Sequence, residues 1–224
     1  MNKKLKNSEK IILDLCGGTG SWSKPYVQAG YKVYNLTLPK YDLFDIELKD
    51  GYIVICCNET LKREYIVAAD IYGILAAPTC TMFSLARTVA KTERDFATGM
   101  KLVKKCLNII WYCREQRNAK LKFWALENPL GYLRQFLGKP PLTFNPNDYG
   151  DNYTKKTDLW GYYNLPKTDF RELTDEEKIK CSVNTRSLPS LPDDYVLPNG
   201  WNITAAKRSM TSAKFAEAFY KANK

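Results

Sequence analysis

The segment from Ile11 to Pro39 constrains the fold of this chain more than any other. Ile11–Leu15 is a short apolar run, broken only by Asp14, and it ends at Cys16-Gly17-Gly18-Thr19-Gly20. A run of that length bounded by glycines is the pattern of a buried strand entering a tight turn, as strands of a parallel sheet do. A short helix is expected next, closed by Gly30 in the left-handed conformation that glycine takes readily. Over residues 31–38, Val33, Asn35 and Thr37 alternate with Tyr34, Leu36 and Leu38 until Pro39 stops the run. Strand, helix and strand in that order make a βαβ unit, and the two strands of such a unit are parallel.

The alternation continues downstream. Residues 72–77 form a small-residue apolar run ending at Pro78, and residues 121–126 read as another strand. Between them Phe96, Met100, Val103, Leu107 and Ile110 recur at helical spacing over residues 95–117, behind Thr92 and Asp95 at the spacing of a capping box. A short helix over residues 130–137 is ended by Gly138 and Pro140, and residues 52–57 and 63–68 flank Asn58-Glu59-Thr60 as a hairpin insertion. Beyond Asn145 the texture changes, with Pro166, Pro189, Pro192 and Pro198 spaced through polar sequence and one helix expected over residues 174–180. The last helix is expected over residues 212–222, where Phe215, Ala218, Phe219 and Ala222 share a face. The expected class is α/β: a doubly wound, mostly parallel sheet with helices on both faces and a small C-terminal lobe. At 224 residues, one such domain is the default.

Composition removes several chemistries. The chain contains no histidine, which excludes Ser-His-Asp and Cys-His catalysis and histidine-ligated zinc. Its seven cysteines are an odd number with no C-x-x-C pair, so reduced thiols and no metal are expected. No apolar stretch approaches the ~20 residues of a membrane helix, and the Lys-rich start lacks the apolar core of a signal peptide. A cytoplasmic protein without a membrane partner is the expectation. The formal charge of +10 points towards a polyanion such as nucleic acid.

Ligands of open α/β sheets bind beyond the carboxyl ends of the strands, so those ends carry the candidates. The first ends in Asp14-Leu15-Cys16-Gly17-Gly18-Thr19-Gly20, a glycine loop that allows close backbone approach ahead of a helix N-terminus. It is neither the dinucleotide G-x-G-x-x-G nor a P-loop, because no Gly-Lys-Ser/Thr follows. Another ends in Pro78-Thr79-Cys80-Thr81-Met82-Phe83-Ser84, which places a thiol at a strand end beside a rigid proline. A third ends in Trp124-Ala125-Leu126-Glu127-Asn128-Pro129 and delivers an acid and an amide to the same edge.

In that order, the three segments resemble the cytosine-C5 DNA methyltransferases: a glycine loop, a Pro-Cys loop ending in Phe-Ser, then Glu-Asn-Val. Asp148-Tyr149-Gly150, followed by Lys155-Lys156-Thr157, is similar to the family's Tyr-Gly segment and basic motif. Lys207-Arg208-Ser209-Met210-Thr211 resembles its Arg-x-Leu-Thr segment, and the ordered set covers residues 11–219. The resemblance implies the S-adenosylmethionine-dependent, Rossmann-like type of sheet. It also implies Cys80 as the nucleophile that adds to C6 of a flipped cytosine and Glu127 as the proton partner of N3. Pro78, Phe83, Ser84, Asn128, Lys155 and Lys156 would bind the substrate. Asp14, Cys16, Gly17, Gly18, Gly20, Trp22 and Asp42 would bind S-adenosylmethionine, with Trp22 as the aromatic on the adenine and Asp42, or alternatively Asp45, as its acid. Cations such as Arg87, Lys155 or Lys156 would lower the thiol pKa.

The chain departs from the family's pattern at Thr79, which separates proline and cysteine, and at Thr37 and Leu38, which stand where an acid for the ribose is usual. Residues 1–157 would be the catalytic and cofactor-binding domain, 158–206 a small recognition-like lobe, and 207–224 the return to the catalytic domain. DNA is the expected partner of a monomeric, phage-like orphan enzyme in a bacterial or phage-infected cell. RNA or a free cytidine nucleotide as the substrate, and a catalytically silent nucleic-acid-binding relative, are the alternatives.

Overall fold

The computed structural model describes residues 5–85, 92–183, 190–193, 195–197 and 200–224. The opening unit is β1 (Ile11–Leu15), α1 (Lys24–Gln28) and β2 (Lys32–Leu36), with β1 and β2 parallel and Leu15 opposite Leu36. The chain then makes a small antiparallel sheet, β3 (Glu47–Lys49), β4 (Tyr52–Cys56) and β5 (Arg63–Val67), in place of a crossover helix. The expected hairpin is there as β4 and β5, with β3 added beside it. β6 (Ile71–Ala76) returns beside β1, α2 (Phe96–Arg114) crosses over, and β7 (Phe123–Pro129) pairs parallel with β6.

After α3 (Arg134–Leu137), two strands extend the sheet beyond the expected set. β8 (Leu142–Phe144) is antiparallel to β9 (Thr157–Tyr162), which is antiparallel to β7. The main sheet therefore has six strands in the order β2-β1-β6-β7-β9-β8, the first four mutually parallel. The remaining helices are α4 (Asp175–Val183), α5 (Ile203–Ser209) and α6 (Ala213–Ala222). Arg87, Pro189 and Pro198 lie outside the described residues. Asp95 serves as the N-cap of α2, its carboxylate accepting from Thr98 N at 2.9 Å, so a simple cap stands where a capping box was expected.

The period of two along each strand divides the core between the sheet's faces. Leu13, Leu15, Ile74 and Leu126 pack with Val103, Cys106, Ile109, Ile110 and Cys113 of α2, and the small sheet adds Ile53, Ile55 and Ile66 to that layer. Ile12, Leu75, Phe123 and Ala125 pack with Trp22, Tyr26, Phe215 and Phe219. Helices thus cover both faces. α6 is pinned at its end by a reciprocal pair in which Asn164 N donates to Asn223 Oδ1 at 2.8 Å and Asn223 Nδ2 donates to Asn164 O at 3.0 Å.

From β1 the strand order runs one way to β2 and the other way to β6 and β7. The connections reverse direction between β1 and β6, so the loops after those two strands splay to opposite faces and leave a crevice. Residues 16–20 and 77–84 follow those two strands, and Glu127 and Asn128 end the neighbouring β7.

Candidate active site

The glycine loop is held from beneath by β2. Cys16, Gly18 and Gly20 have φ of 58°, 54° and 69°. Asn35 Nδ2 donates to Gly18 O at 3.1 Å, and Gly18 N donates to Thr37 Oγ1 at 3.3 Å. A Cβ at Gly17 would lie 2.3 Å from Cγ of Asp14, so only glycine lets the loop pack onto that carboxylate. At Gly18 a Cβ would have nothing within 4 Å, which leaves the backbone open to a ligand.

Asp14 is fully buried, and neither of its oxygens, nor Oδ1 of Asn35, has a hydrogen-bond partner. Burial pushes the Asp14 carboxyl up to about 6, and the nearby Ser23 hydroxyl offsets only part of that. Orphaned acceptors beneath an open, left-handed glycine turn at the crevice suit a ligand that brings positive charge and donors. Asp42 caps a 3-10 turn by accepting from Phe44 N at 2.9 Å, and its charge acts on the Cys16 thiol. A hydrogen bond to Cys106 of α2, together with burial, holds that thiol well above its ordinary range. Cys16 therefore serves the loop as a neutral packing residue.

The Cys80 loop is a tight turn fastened on three sides. Phe83 N and Ser84 N both donate to Cys80 O, at 2.9 and 2.8 Å. Arg94 donates from Nη1 to Met82 O and from Nη2 to Ser84 O, both at 2.9 Å. Tyr132 N donates to Phe83 O at 2.9 Å, and Asn128 Nδ2 donates to Pro78 O at 2.9 Å. A Cβ at Gly131 would lie 2.2 Å from Phe83 O, so the turn after β7 is in direct contact with the loop. Pro78 is buried and Thr79 exposed, which lets the extra residue project outward while the proline carbonyl stays on Asn128.

Glu127, Lys155 and Cys80 form one electrostatic cluster. Lys155 Nζ lies 3.7 Å from Glu127 Oε1 and donates to Met210 O at 3.3 Å. Burial raises the Glu127 carboxyl, with Lys155 pulling the other way. Burial also raises the Cys80 thiol, opposed by Lys155 and reinforced by Glu127. The cluster thus keeps a proton on both the acid and the thiol more readily than water would, and Lys155 is the cation that favours their ionised forms. Tyr153 is buried beside it, its phenol raised by burial and by Asp151.

The C-terminal segment closes the far side. Met210 O receives Lys155, Thr211 N donates to Ser21 Oγ at 3.2 Å, and the Ser212 hydroxyl caps α6 and donates to Asp151. Residues 210–212 therefore touch both the glycine turn and the basic segment.

The structure gathers Cys80, Glu127, Asn128 and Lys155 at one end of the sheet, with Pro78 beneath them and the glycine loop after the neighbouring β1. Three expected site residues sit elsewhere. Trp22 is 2% exposed and packs on Phe215 and Phe219 at 6.2 and 5.5 Å, so no ring face remains for an adenine. Phe83 is fully buried against Phe96 and Phe136, and it supports the loop without reaching a substrate. Lys156 is exposed, and Lys155 is the lysine that acts on the thiol. Arg94 and Gly131 were missed. Gly131 was readable as a turn glycine after Asn128-Pro129, whereas nothing in the sequence marked Arg94.

Among the described residues there is no group of three side chains able to hold a metal, and six cysteines are free thiols. No described helix is long and apolar enough to cross a membrane. No protein-family model and no curated protein matches the chain.

Proposed function

We propose that this chain transfers a methyl group from S-adenosylmethionine to C5 of cytosine in DNA, with Cys80 as nucleophile and Glu127 as the proton partner of N3. The observation that carries the reading is the Cys80–Lys155–Glu127 cluster beside the glycine loop at the sheet's switch point. Asp14, residues 17–20 and Asp42 would hold the methyl donor, which supplies an electrophilic methyl on a sulfonium. The orphaned Asp14 and Asn35 oxygens and the open Gly18 backbone fit a cationic ligand of that kind.

The chain's own groups have separate tasks. Asn128, Arg94 and Tyr132 fix the turn that presents the Cys80 sulfur. Lys155 stabilises the thiolate as Cys80 gives up its proton to water, and the sulfur adds to C6. Glu127, whose carboxyl is raised by burial, donates a proton to N3 and makes C6 electrophilic. Once C5 carries the methyl group, the C5 proton leaves to water as the C–S bond breaks, the N3 proton returns to Glu127 and the thiolate is regenerated. The net positive charge of the chain suits a nucleic-acid substrate.

One observation favours a catalytically silent relative: Thr37 Oγ1, at the position usual for a ribose acid, already accepts from Gly18 N. Incubation with methyl-labelled S-adenosylmethionine and, separately, DNA, RNA and dCMP decides between them. Label in cytosine C5 of DNA supports the proposal. Label only in RNA or dCMP moves the substrate, and label in none supports the silent relative.

A further inference from the structure

We infer that the peptide group joining Met210 to Thr211 makes Ser21 a positioning residue for Lys155 and so couples the glycine turn to the Cys80 thiol; this rests on the reading of that turn as the methyl-donor site. The N–H of the group belongs to Thr211 and donates to Ser21 Oγ at 3.2 Å. Its carbonyl belongs to Met210 and accepts from Lys155 Nζ at 3.3 Å. A trans peptide is a rigid plane whose N–H and C=O point in opposite directions, so a single plane spans the gap between the turn and the ammonium. Tilting it to follow Ser21 moves the carbonyl that Lys155 holds. The two bonds also reinforce each other, because a cation on the carbonyl polarises the amide and strengthens its N–H as a donor.

On one side, Ser21 follows Gly20, whose φ is 69°, and its hydroxyl also accepts from Thr19 Oγ1 at 3.1 Å. A ligand settling on the open turn fixes these hydroxyls and with them the peptide plane. On the other side, the ammonium lies 3.7 Å from Glu127 Oε1, a loose ion pair at the end of a flexible four-carbon stem, so the Met210 carbonyl helps to set where it rests. The flanks of the plane are anchored. Met210 N donates to Lys207 O at 3.3 Å at the end of α5, and Ser212 Oγ caps α6 by accepting from Phe215 N at 3.1 Å. Rotation of the one peptide is therefore the soft movement between two fixed helix ends. The charged groups acting on the Cys80 thiol are Lys155, which favours the thiolate, and Glu127, which opposes it; the Tyr153 phenol beside Glu127 is raised by its own burial. Once Lys155 is released, burial and Glu127 alone decide the thiol, and both oppose its ionisation.

The test follows alkylation of Cys80 by iodoacetamide against pH, read by mass spectrometry on the peptide that carries it. Ser21→Ala removes the acceptor of Thr211 N and should raise the midpoint of the profile by about half a unit to one unit, the scale of one hydrogen bond. Below the midpoint, alkylation should slow about three- to tenfold. Ser21→Thr, which keeps the hydroxyl, should restore the wild-type profile. In Lys155→Met the midpoint is already high, and adding Ser21→Ala should move it no further, because the relay has lost its far end. A general loosening of the fold would shift both backgrounds alike. S-adenosylhomocysteine, a thioether that brings no sulfonium charge to the thiolate, should lower the wild-type midpoint and leave that of Ser21→Ala in place. By linkage, its affinity should rise across the thiol titration by about tenfold for each unit of that lowering. This arm runs on unaltered protein, so it decides the matter if Ser21→Ala misfolds.

Coincident profiles for the wild type and Ser21→Ala overturn the inference. So does an equal shift in the Lys155→Met background, or bound S-adenosylhomocysteine that leaves the wild-type profile where it was. The proposed function fails on different results. Absence of heat with S-adenosylhomocysteine in calorimetry removes the donor site, and absence of cytosine capture by Cys80 removes the nucleophile, while the relay from Ser21 to Lys155 stands or falls on the profiles of the ligand-free variants.

Discussion

Replacing Gly131 by alanine should disable the Cys80 loop without altering any group proposed to react. The new Cβ would stand 2.2 Å from Phe83 O and 3.0 Å from its carbonyl carbon. Ordinary carbon–oxygen contacts begin near ~3.3 Å, so the two segments must part by about 1 Å. The obstacle is backbone, which no rotamer change can relieve. Parting lengthens the Tyr132 N to Phe83 O bond, and the shift passes to Cys80 through the bonds from Phe83 N and Ser84 N to its carbonyl. Overpacking of this kind costs about 1–3 kcal/mol. For a chain of this size each kcal/mol lowers Tm by about 2–4 °C, so a fall of roughly 2–12 °C is expected by calorimetry. A displacement of about 1 Å at a reacting atom slows chemistry by about a hundredfold, to be read as the rate of covalent capture of cytosine by the thiol. Binding of S-adenosylmethionine, whose loop Gly131 does not touch, should persist. An unchanged capture rate in folded Gly131→Ala would show that the clamp does not position Cys80.

Lys155→Met removes the cation that pulls both the Cys80 thiol and the Glu127 carboxyl down, so both should titrate higher. Capture needs the thiolate, which appears as pH rises, and the protonated acid, which disappears as pH rises. Both limbs of the pH–rate profile should therefore move to higher pH, with the rate near neutrality falling roughly tenfold per unit of thiol shift. A profile that keeps its position would refute the cluster. Asp14 has a raised carboxyl at about 6, so the folded state holds a proton that the unfolded state has released. Its contribution is present in full below its unfolded pKa near 3.8 and is lost as pH rises through about 6. The amount is on the order of 3 kcal/mol. Asp14→Asn should flatten that fall in chemical denaturation and weaken binding of the sulfonium ligand; an unaltered pH–stability curve would contradict the assignment. Gly18→Val should fill the open space above the glycine turn and abolish S-adenosylmethionine binding in calorimetry, whereas undiminished heat would place the ligand elsewhere.

The first half of the fold was legible because its signals are local. Ile11–Leu15 is apolar between polar flanks, and a chain that turns through Cys16-Gly17-Gly18-Thr19-Gly20 needs glycine where φ is positive. The periodicity of α2 was likewise complete in its own residues. β8 and β9 were not legible, because what stabilises them lies far away in the chain. Asp158 is fully buried in β9, and it is tolerated there only because Arg134 of α3 donates to it from Nε and Nη2 at 2.6 and 2.5 Å and Thr143 of β8 donates at 2.8 Å. In sequence, the same residues read as polar loop.

The candidate site divides in the same way. Cys80 and Glu127 were marked by the strand ends that carry them, whereas Trp22 was misread because its neighbours in sequence are the glycine turn and its neighbours in space are Phe215 and Phe219. The fastening of the Cys80 turn by Arg94 depends on a guanidinium reaching back to two backbone carbonyls, a contact that spacing alone does not announce.

Covalent capture tests the central claim most directly. DNA carrying 5-fluorocytosine, incubated with the protein and S-adenosylmethionine, should become fixed to the protein, because fluorine at C5 cannot leave as the proton does. The adduct should survive denaturation and map by mass spectrometry to Cys80. It should be absent in Cys80→Ala, strongly slowed in Glu127→Gln, and unaffected by Cys106→Ala or Cys113→Ala, which remove buried thiols of α2. A folded protein that binds S-adenosylmethionine yet forms no adduct with any fluorinated strand would make Cys80 a structural residue and contradict the account.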